Sequence, residues 1–233
     1  MTVYHQSEKN TKWPSVDELL SNNDEVAKVT LVLGSFNPFN DTGSNVDYYY
    51  GRTANYFWKI ISRIMAKNED DFYTDCNIDL ENRLIRKKEA LKNNFLCLDL
   101  IKSLDIIGEK EQDLNSFIKN DILKNFFDSK IFTTKHNKKN IIINRAYNTE
   151  RIVKVIDSKK IKSVIHTLGG RINSHNITPI ELRNEINIIR NACIKNDIEF
   201  ILCSESPSQI NVNRNHGGDV GNLVNHYRSL LDL

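Results

Sequence analysis

Four short runs of apolar residues punctuate the chain, at residues 29–33, 140–143, 163–168 and 198–203. They are rich in Val and Ile and show little alternation with polar residues. Continuous β-branched runs of this kind are typical of strands that are covered on both faces. The pattern therefore predicts four buried strands of one sheet.

Helical spacing of apolar residues recurs between these runs. Phe57, Ile60, Ile61 and Ile64, for example, would share one face of a helix. The predicted helices cover residues 57–65, 80–91, 95–107, 149–156, 178–189 and 223–231. Strands that alternate with helices favour a parallel sheet with helices on both faces. We predict an α/β fold, a three-layer sandwich around a central four-stranded parallel sheet.

The chain contains few linker-forming residues, with 9 Gly and 4 Pro in 233 residues. We therefore expect a single domain over residues 27–233, preceded by an N-terminal extension over residues 1–26. The N-terminus is polar and has no signal-peptide core. No apolar run approaches the ~20 residues that a membrane-spanning helix needs. We expect a cytoplasmic monomer without a membrane partner.

The four cysteines are scattered and form no C-x-x-C pair. Cys97, Cys193 and Cys203 lie inside apolar runs, which predicts reduced core residues. The lack of ligand spacing argues against an iron–sulfur cluster. Charge is uneven, because residues 130–171 hold eleven Lys and Arg against two acids. Such a segment fits either a nucleic-acid-facing side or an ordinary solvated surface.

The candidate functional residues include polar residues that follow the first and last predicted strands. The first loop reads Gly-Ser-Phe-Asn-Pro-Phe over residues 34–39, so that Pro38 constrains the backbone beside Asn37. An aromatic segment follows at residues 48–58, in which Tyr50 precedes a glycine. The serine loop, residues 203–208, reads Cys-Ser-Glu-Ser-Pro-Ser. No Gly-rich dinucleotide or phosphate-binding motif is present in the sequence.

Together these segments resemble the uracil-DNA glycosylase superfamily. The most specific part is the run from Tyr49-Tyr50-Gly51 to Asn55-Tyr56-Phe57-Trp58-Lys59. It is similar to the mismatch-specific uracil/thymine glycosylases and to the deoxyinosine (hypoxanthine) glycosylase-like branch. The likeness extends over most of residues 29–231. It implies an enzyme that flips a base out of DNA and hydrolyses the N-glycosidic bond, leaving an abasic site.

The resemblance also implies roles for individual residues, without a metal or organic cofactor. Asn37 would position the attacking water, and Tyr50 would stack on the flipped base. The catalytic residues it implies are Asn37 and Ser206. The base-binding residues are Phe36, Phe39, Tyr50 and Asn55. The residues that would contact double- or single-stranded DNA are Ser204, Ser208, Gln209, Ile210, Arg214 and His216.

Departures from the family pattern keep several alternatives open. An amide at Asn37, where an aspartate would also be electrostatically helpful, predicts a slower enzyme. Glu205 and the polar residues 209–218 would suit an enzyme that removes a hypermodified base from phage DNA. The lack of the family's His-Pro-Ser-Pro signature would suit a non-catalytic nucleic-acid-binding module. An enzyme acting on free nucleosides is a weaker alternative.

Overall fold

The computed structural model carries side chains and describes most of the chain. The described residues are 1–9, 15, 17–18, 28–41, 49–50, 55–65, 80–91, 94–124, 128–133, 135–136, 140–168, 179–203, 205–231 and 233. For residues 80–83, 128–129, 135 and 209–210 the description is of the backbone only.

Eight strands are present in the described part of the chain: β1 (Thr2–Tyr4), β2 (Val29–Gly34), β3 (Phe95–Asp99), β4 (Ile101–Gly108), β5 (Lys135–His136), β6 (Ile141–Tyr147), β7 (Ile161–His166) and β8 (Glu199–Leu202). The α-helices there are α1 (Phe57–Ile64), α2 (Leu80–Leu91), α3 (Glu111–Phe117), α4 (Asp128–Phe132), α5 (Thr149–Asp157), α6 (Ile180–Lys195), α7 (Gln209–His216) and α8 (Gly221–Leu231). A 3₁₀-helix covers Gln6–Glu8, and a π-helix, Ile118–Lys124, follows α3.

A four-stranded sheet in the order β3-β2-β7-β8 forms the centre of the molecule, and all its pairs are parallel. Leu33 of β2 lies in register with Leu98 of β3 and His166 of β7. This confirms an α/β architecture with a four-stranded parallel sheet. The continuous Val and Ile runs are explained by burial, since every residue of β2 is buried.

Helices cover both faces of this sheet. On one face, Phe57 of α1 contacts Phe95 of β3 edge to face, with ring centroids 5.7 Å apart, and Tyr227 of α8 packs on Phe57. On the other face, the Arg190 guanidinium of α6 lies 5.4 Å from the ring centroid of Phe200 in β8. Helix α5 packs against α6 on that side. The three layers agree with the expected sandwich.

The composition of the sheet differs from the prediction in one strand. Residues 140–143 were expected in the parallel sheet, but β6 lies in a second sheet, of order β1-β4-β6-β5, with antiparallel pairs. Alternate burial along β6, with Ile141 and Ile143 buried and Ile142 exposed, is the pattern of a strand with one solvated face.

The predicted helix over residues 95–107 is wrong, because this segment forms two strands. β3 takes the place in the parallel sheet that residues 140–143 were expected to fill, and β4 enters the second sheet after Leu100. All five residues of β3 are buried. When both faces of a segment are buried, the apolar pattern loses the period that separates a strand from a helix.

The expected N-terminal extension over residues 1–26 also needs correction at its beginning. β1 pairs with β4, and Val3 is buried. The backbone N–H of His5, the first residue after β1, donates to Lys102 O at 2.9 Å. The first residues therefore belong to the domain, because strand pairing and burial offset the cost of ordering them.

The cysteines in the described part of the chain, Cys97, Cys193 and Cys203, are free and buried, as their apolar surroundings predicted. Among the described helices, none combines the length and apolar character needed to cross a bilayer.

Candidate functional site

The site lies where β2 and β3 end side by side. Gly34, the last residue of β2, is in register with Asp99, the last residue of β3. Residues that follow parallel strands meet at the carboxyl edge of the sheet, which is the usual ligand-binding edge of such folds. Backbone hydrogen bonds from Leu100 N to Gly34 O and from Ile101 N to Ser35 O, both 3.0 Å, continue the pairing into the loop.

Asn37 and Asp99 form the polar centre of this edge. The Asn37 side-chain amide donates to Asp99 Oδ2 at 2.7 Å. The same oxygen lies 2.8 Å from His5 Nε2. Asp99 is 2% exposed and Asn37 8% exposed, so these polar groups satisfy one another inside the fold.

The hydrogen bonds of His5 define its protonation pattern. Nδ1 accepts from the backbone N–H of Ser7 at 3.0 Å, so this nitrogen carries a lone pair. With Nδ1 as the acceptor, Nε2 carries a proton and donates it to Asp99. The ring stacks on Tyr49, with centroids 5.4 Å apart.

Backbone contacts attach the N-terminal segment to the loop that carries Asn37. Gln6 N donates to Asn37 O, and Phe39 N donates to Tyr4 O, both at 2.8 Å. Because the two bonds flank Pro38, they hold the loop on either side of its proline. The position of Asn37 thus depends on residues at the very start of the chain.

The Tyr50 side chain packs over the carboxyl end of β2. Its hydroxyl lies 3.0 Å from Thr167 Oγ1, just beyond β7, and its ring lies against Phe57 with centroids 4.5 Å apart. A Cβ on Gly34 would overlap Asp99 Oδ1 and would lie 2.9 Å from Tyr50 Oη. The absence of a side chain at Gly34 therefore lets Tyr50 and Asp99 approach the same point.

Proton positions around Tyr50 follow from its neighbours. The Thr167 hydroxyl donates to Leu33 O at 3.1 Å, so the Tyr50 hydroxyl is the donor in the Tyr50–Thr167 pair. Burial, more than any nearby charge, raises the pKa of Tyr50 well above its ordinary value. Burial likewise raises the pKa of Cys97, on the same face of the sheet. The phenol is a neutral donor, and the thiol is not a nucleophile at neutral pH.

The aromatic segment and the serine loop are joined by main-chain contacts. Tyr56 N donates to Pro207 O at 2.7 Å, and Asn55 forms an isolated antiparallel bridge with Ser208. The Asn55 side-chain oxygen accepts from Phe57 N at 2.9 Å. Asn55 thus fixes the entry to α1, and its bridge with Ser208 places the serine loop beside the start of this helix.

Ser206 and Ser208 are occupied by local hydrogen bonds. Ser206 Oγ accepts from Ser208 N at 3.3 Å, and Ser208 caps α7 by accepting from Asn211 N. Both side chains are half-buried. This is the ordinary chemistry of a helix N-terminus.

The Glu205 carboxylate accepts hydrogen bonds from neighbouring side chains. His216 Nε2 lies 3.0 Å from Glu205 Oε2, and Asn211 donates to the same oxygen at 3.2 Å. These hydrogen bonds, that of His216 first, lower the pKa of Glu205. The Tyr227 hydroxyl donates to Glu205 O at 2.9 Å. The carboxylate therefore joins the serine loop to the last turn of α7.

The remaining residues that the sequence predicted for the site lie in different surroundings. Phe36 is 1% exposed and packs against the His5 ring, so it is part of the core, whereas Phe39 is half-buried. Arg214 is exposed on α7. Ser204 and the side chains of Gln209 and Ile210 lie outside the described residues. Asn37 and Tyr50 come together at one edge, and Asn55 and Ser208 form a neighbouring group.

Sequence reasoning missed three members of this arrangement: Asp99, His5 and Thr167. Asp99 ends one apolar run in the same way as Gly34 ends another, and this similarity could have identified Asp99 as a site residue. Thr167 lies within the predicted strand 163–168 and follows β7 in the structure. His5 carries no local signal, since only tertiary contacts bring it to Asp99. His166, next to Thr167, points to the opposite face, near Phe200. Among the described residues, no group of three His, Cys, Asp or Glu side chains is arranged to hold a metal ion.

Comparison of the chain with protein-family models, with curated proteins and with solved structures finds no match.

Proposed function

We propose that the protein is a DNA glycosylase with a uracil-DNA glycosylase-like fold, which hydrolyses the N-glycosidic bond of a flipped base and leaves an abasic site. The observation that carries this proposal is the juxtaposition of Asn37, Asp99 and Tyr50 over Gly34 at the carboxyl edge of the parallel sheet. It supplies an amide that can orient a water beside an aromatic ring that can hold a base.

The proposed reaction is a displacement at the sugar. The water oxygen bonds to C1′ as the bond from C1′ to the base nitrogen breaks, and the bonding electron pair leaves with the base. The proton released by the water neutralises the departing base. Asn37 would orient the water by accepting one of its hydrogens, and the base would lie on Tyr50, since stacking is worth about 1–3 kcal/mol per base.

The serine loop and α7 would form the DNA-facing rim. Backbone contacts fix this loop against Asn55 and Tyr56, at the start of α1. The N-terminus of α7 and the exposed Arg214 near its other end offer groups that favour phosphates. Affinity for DNA is accordingly expected to fall as salt concentration rises.

An abasic-site cleavage assay tests the proposal. Purified protein is incubated with oligonucleotides that carry uracil, hypoxanthine, xanthine, a thymine mismatch or a bulky modified cytosine. We expect alkali-labile strands from at least one substrate and a slower formation of this product with Asn37→Ala. Asp105→Asn, an exposed change on β4, is the control. No product from any substrate would contradict the proposed activity.

A nucleic-acid-binding module without catalysis is the second candidate. It is favoured by the burial of Asn37, whose amide nitrogen already bonds to Asp99. This candidate predicts salt-dependent DNA binding without base release. Tyr50→Ala would then weaken binding, and Asn37→Ala would leave binding unchanged. Base release by the wild type would exclude it.

A further inference from the structure

We propose that Asp99 is a positioning residue that sets the direction of the Asn37 amide, and that His5 holds Asp99 for this task. The inference rests on the proposed glycosylase function and adds two residues, brought from distant parts of the chain, to the machinery of that site. Neither is predicted to touch the reacting atoms.

The direction of the Asn37 amide follows from the chemistry of its partner. Asp99 Oδ2 is an acceptor, to which His5 also donates, and Asn37 therefore turns its Nδ2 toward this oxygen, at 2.7 Å. The reversed amide would place two acceptor oxygens against each other. Asn37 Oδ1 is consequently the atom left for a ligand, and it is an acceptor.

That direction matters for an attacking water. A water that donates one hydrogen to Asn37 Oδ1 keeps its lone pairs available for C1′. An amide turned the other way would donate to the water oxygen and occupy a lone pair instead. The main-chain oxygen of Asn37 is already bonded to Gln6 N at 2.8 Å, so it does not compete for the water.

His5 holds the carboxylate from the other side. Its Nδ1 accepts from Ser7 N at 3.0 Å, which leaves Nε2–H directed at Asp99 Oδ2, at 2.8 Å. Both donors therefore converge on one carboxylate oxygen. Asp99 Oδ1 lies over Gly34, where the missing side chain leaves it space. With both oxygens located in this way, the plane of the carboxylate and hence the Asn37 amide are fixed.

The test is a double-mutant cycle on single-turnover rates of base release. It uses the oligonucleotide from which the wild type releases the base fastest. Asp99→Leu is expected to lower the rate about tenfold to a hundredfold, the loss associated with a hydrogen bond to a charged group. The concentration of DNA at half-maximal rate is expected to stay unchanged. In an Asn37→Ala background, Asp99→Leu is expected to cost nothing more, because Asp99 acts only through Asn37.

Asp99→Asn covers the case in which the leucine variant does not fold. Its amide oxygen can still accept from Asn37 and His5, so it is expected to keep a rate between those of the wild type and Asp99→Leu. His5→Phe, which removes the second donor, is expected to lower the rate less than Asp99→Leu. Thermal unfolding of each variant separates these effects from loss of folded protein.

The outcomes distinguish the two proposals. A wild type that releases no base overturns the glycosylase function and, with it, the catalytic role of Asp99. Equal losses from Asp99→Leu in both backgrounds, or a wild-type rate for Asp99→Leu, overturn only the positioning role. The side-chain amide signals of Asn37 in ¹⁵N–¹H spectra give a readout independent of activity. They should shift in Asp99→Leu, and an unchanged spectrum would contradict the inferred hydrogen bond.

Discussion

The hydroxyl oxygen of Tyr50 lies over Gly34, 2.9 Å from the point that a Cβ of this residue would occupy. The same point overlaps Asp99 Oδ1. Gly34 is thus the position at which the aromatic segment and the carboxylate of β3 both approach the backbone of β2. The requirement for glycine here is steric, since the neighbours are side chains that the fold holds in place.

Gly34→Ala is therefore expected to displace Asp99 and Tyr50 together. Inserting a methyl group into this packed edge should lower the free energy of unfolding by about 1–3 kcal/mol. Denaturant unfolding measures the change. Gly221→Ala at the start of α8 is the control, because its nearest neighbours are the Asp219 carboxylate atoms at 3.3 Å or more. Equal stabilities of the wild type and Gly34→Ala would contradict the crowding described here.

Substitutions of Tyr50 separate the ring from the hydroxyl. Tyr50→Phe loses the hydrogen bond to Thr167, worth about 0.5–1.5 kcal/mol of stability, but keeps the stacking surface. Tyr50→Ala loses both, and base release should fall by about tenfold or more, since stacking is worth about 1–3 kcal/mol per base. Single-turnover rates compare the two, with Tyr4→Phe, a change of an exposed side chain on β1, as the control. Equal rates for both Tyr50 variants would argue against a stacking role.

Because His166 is buried, we expect the protein to lose stability in mild acid. Burial lowers its pKa to about 4 from an ordinary value of 6.5, so below pH 6.5 the unfolded chain takes up a proton that the folded protein excludes. Stability from this group is complete above pH 6.5 and falls by about 3 kcal/mol as the pH approaches 4. Urea unfolding at pH 7.5, 6 and 5 should show this slope. His166→Asn should flatten it, and a parallel slope in the variant would refute the assignment.

Glu205 acts in a more acidic window. Its pKa is lowered by hydrogen bonds from His216 and Asn211, so its contribution to stability is present above the ordinary value of 4.5 and is lost as the pH falls through the lowered pKa. Glu205→Gln should therefore be less stable than the wild type at pH 7, with a difference that shrinks as the pH falls below 4.5. Glu199→Gln, an exposed change on β8, is the control.

The strands and helices with clear local patterns were predictable. Residues 29–33 lie in β2 and residues 163–166 lie in β7, because buried β-branched runs favour strands. Phe57, Ile60 and Ile61 place α1 on the sheet through one apolar face. The loop after β2 could be named as a candidate site for the same reason, since it follows a buried strand.

Residues 95–107 show where the local pattern fails. This segment is apolar enough for a helix or a strand, and its assignment depends on which neighbours cover it. β2 provides a partner for β3, whereas β1 and β6 provide partners for β4. Those pairings join residues that are far apart in the chain, so no short window of sequence contains them.

The sequence by itself determined where the apolar elements lie, which loop carries Asn37 and where the aromatic segment stands, because these depend on spacing within a few turns or residues. Tertiary structure alone decided that Asp99, 62 positions from Asn37, accepts the amide hydrogen, and that His5, 94 positions from Asp99, donates to the same oxygen. A hydrogen bond depends on distances and angles in space, and only the pairing of β1, β2, β3 and β4 brings these three side chains within reach of one another.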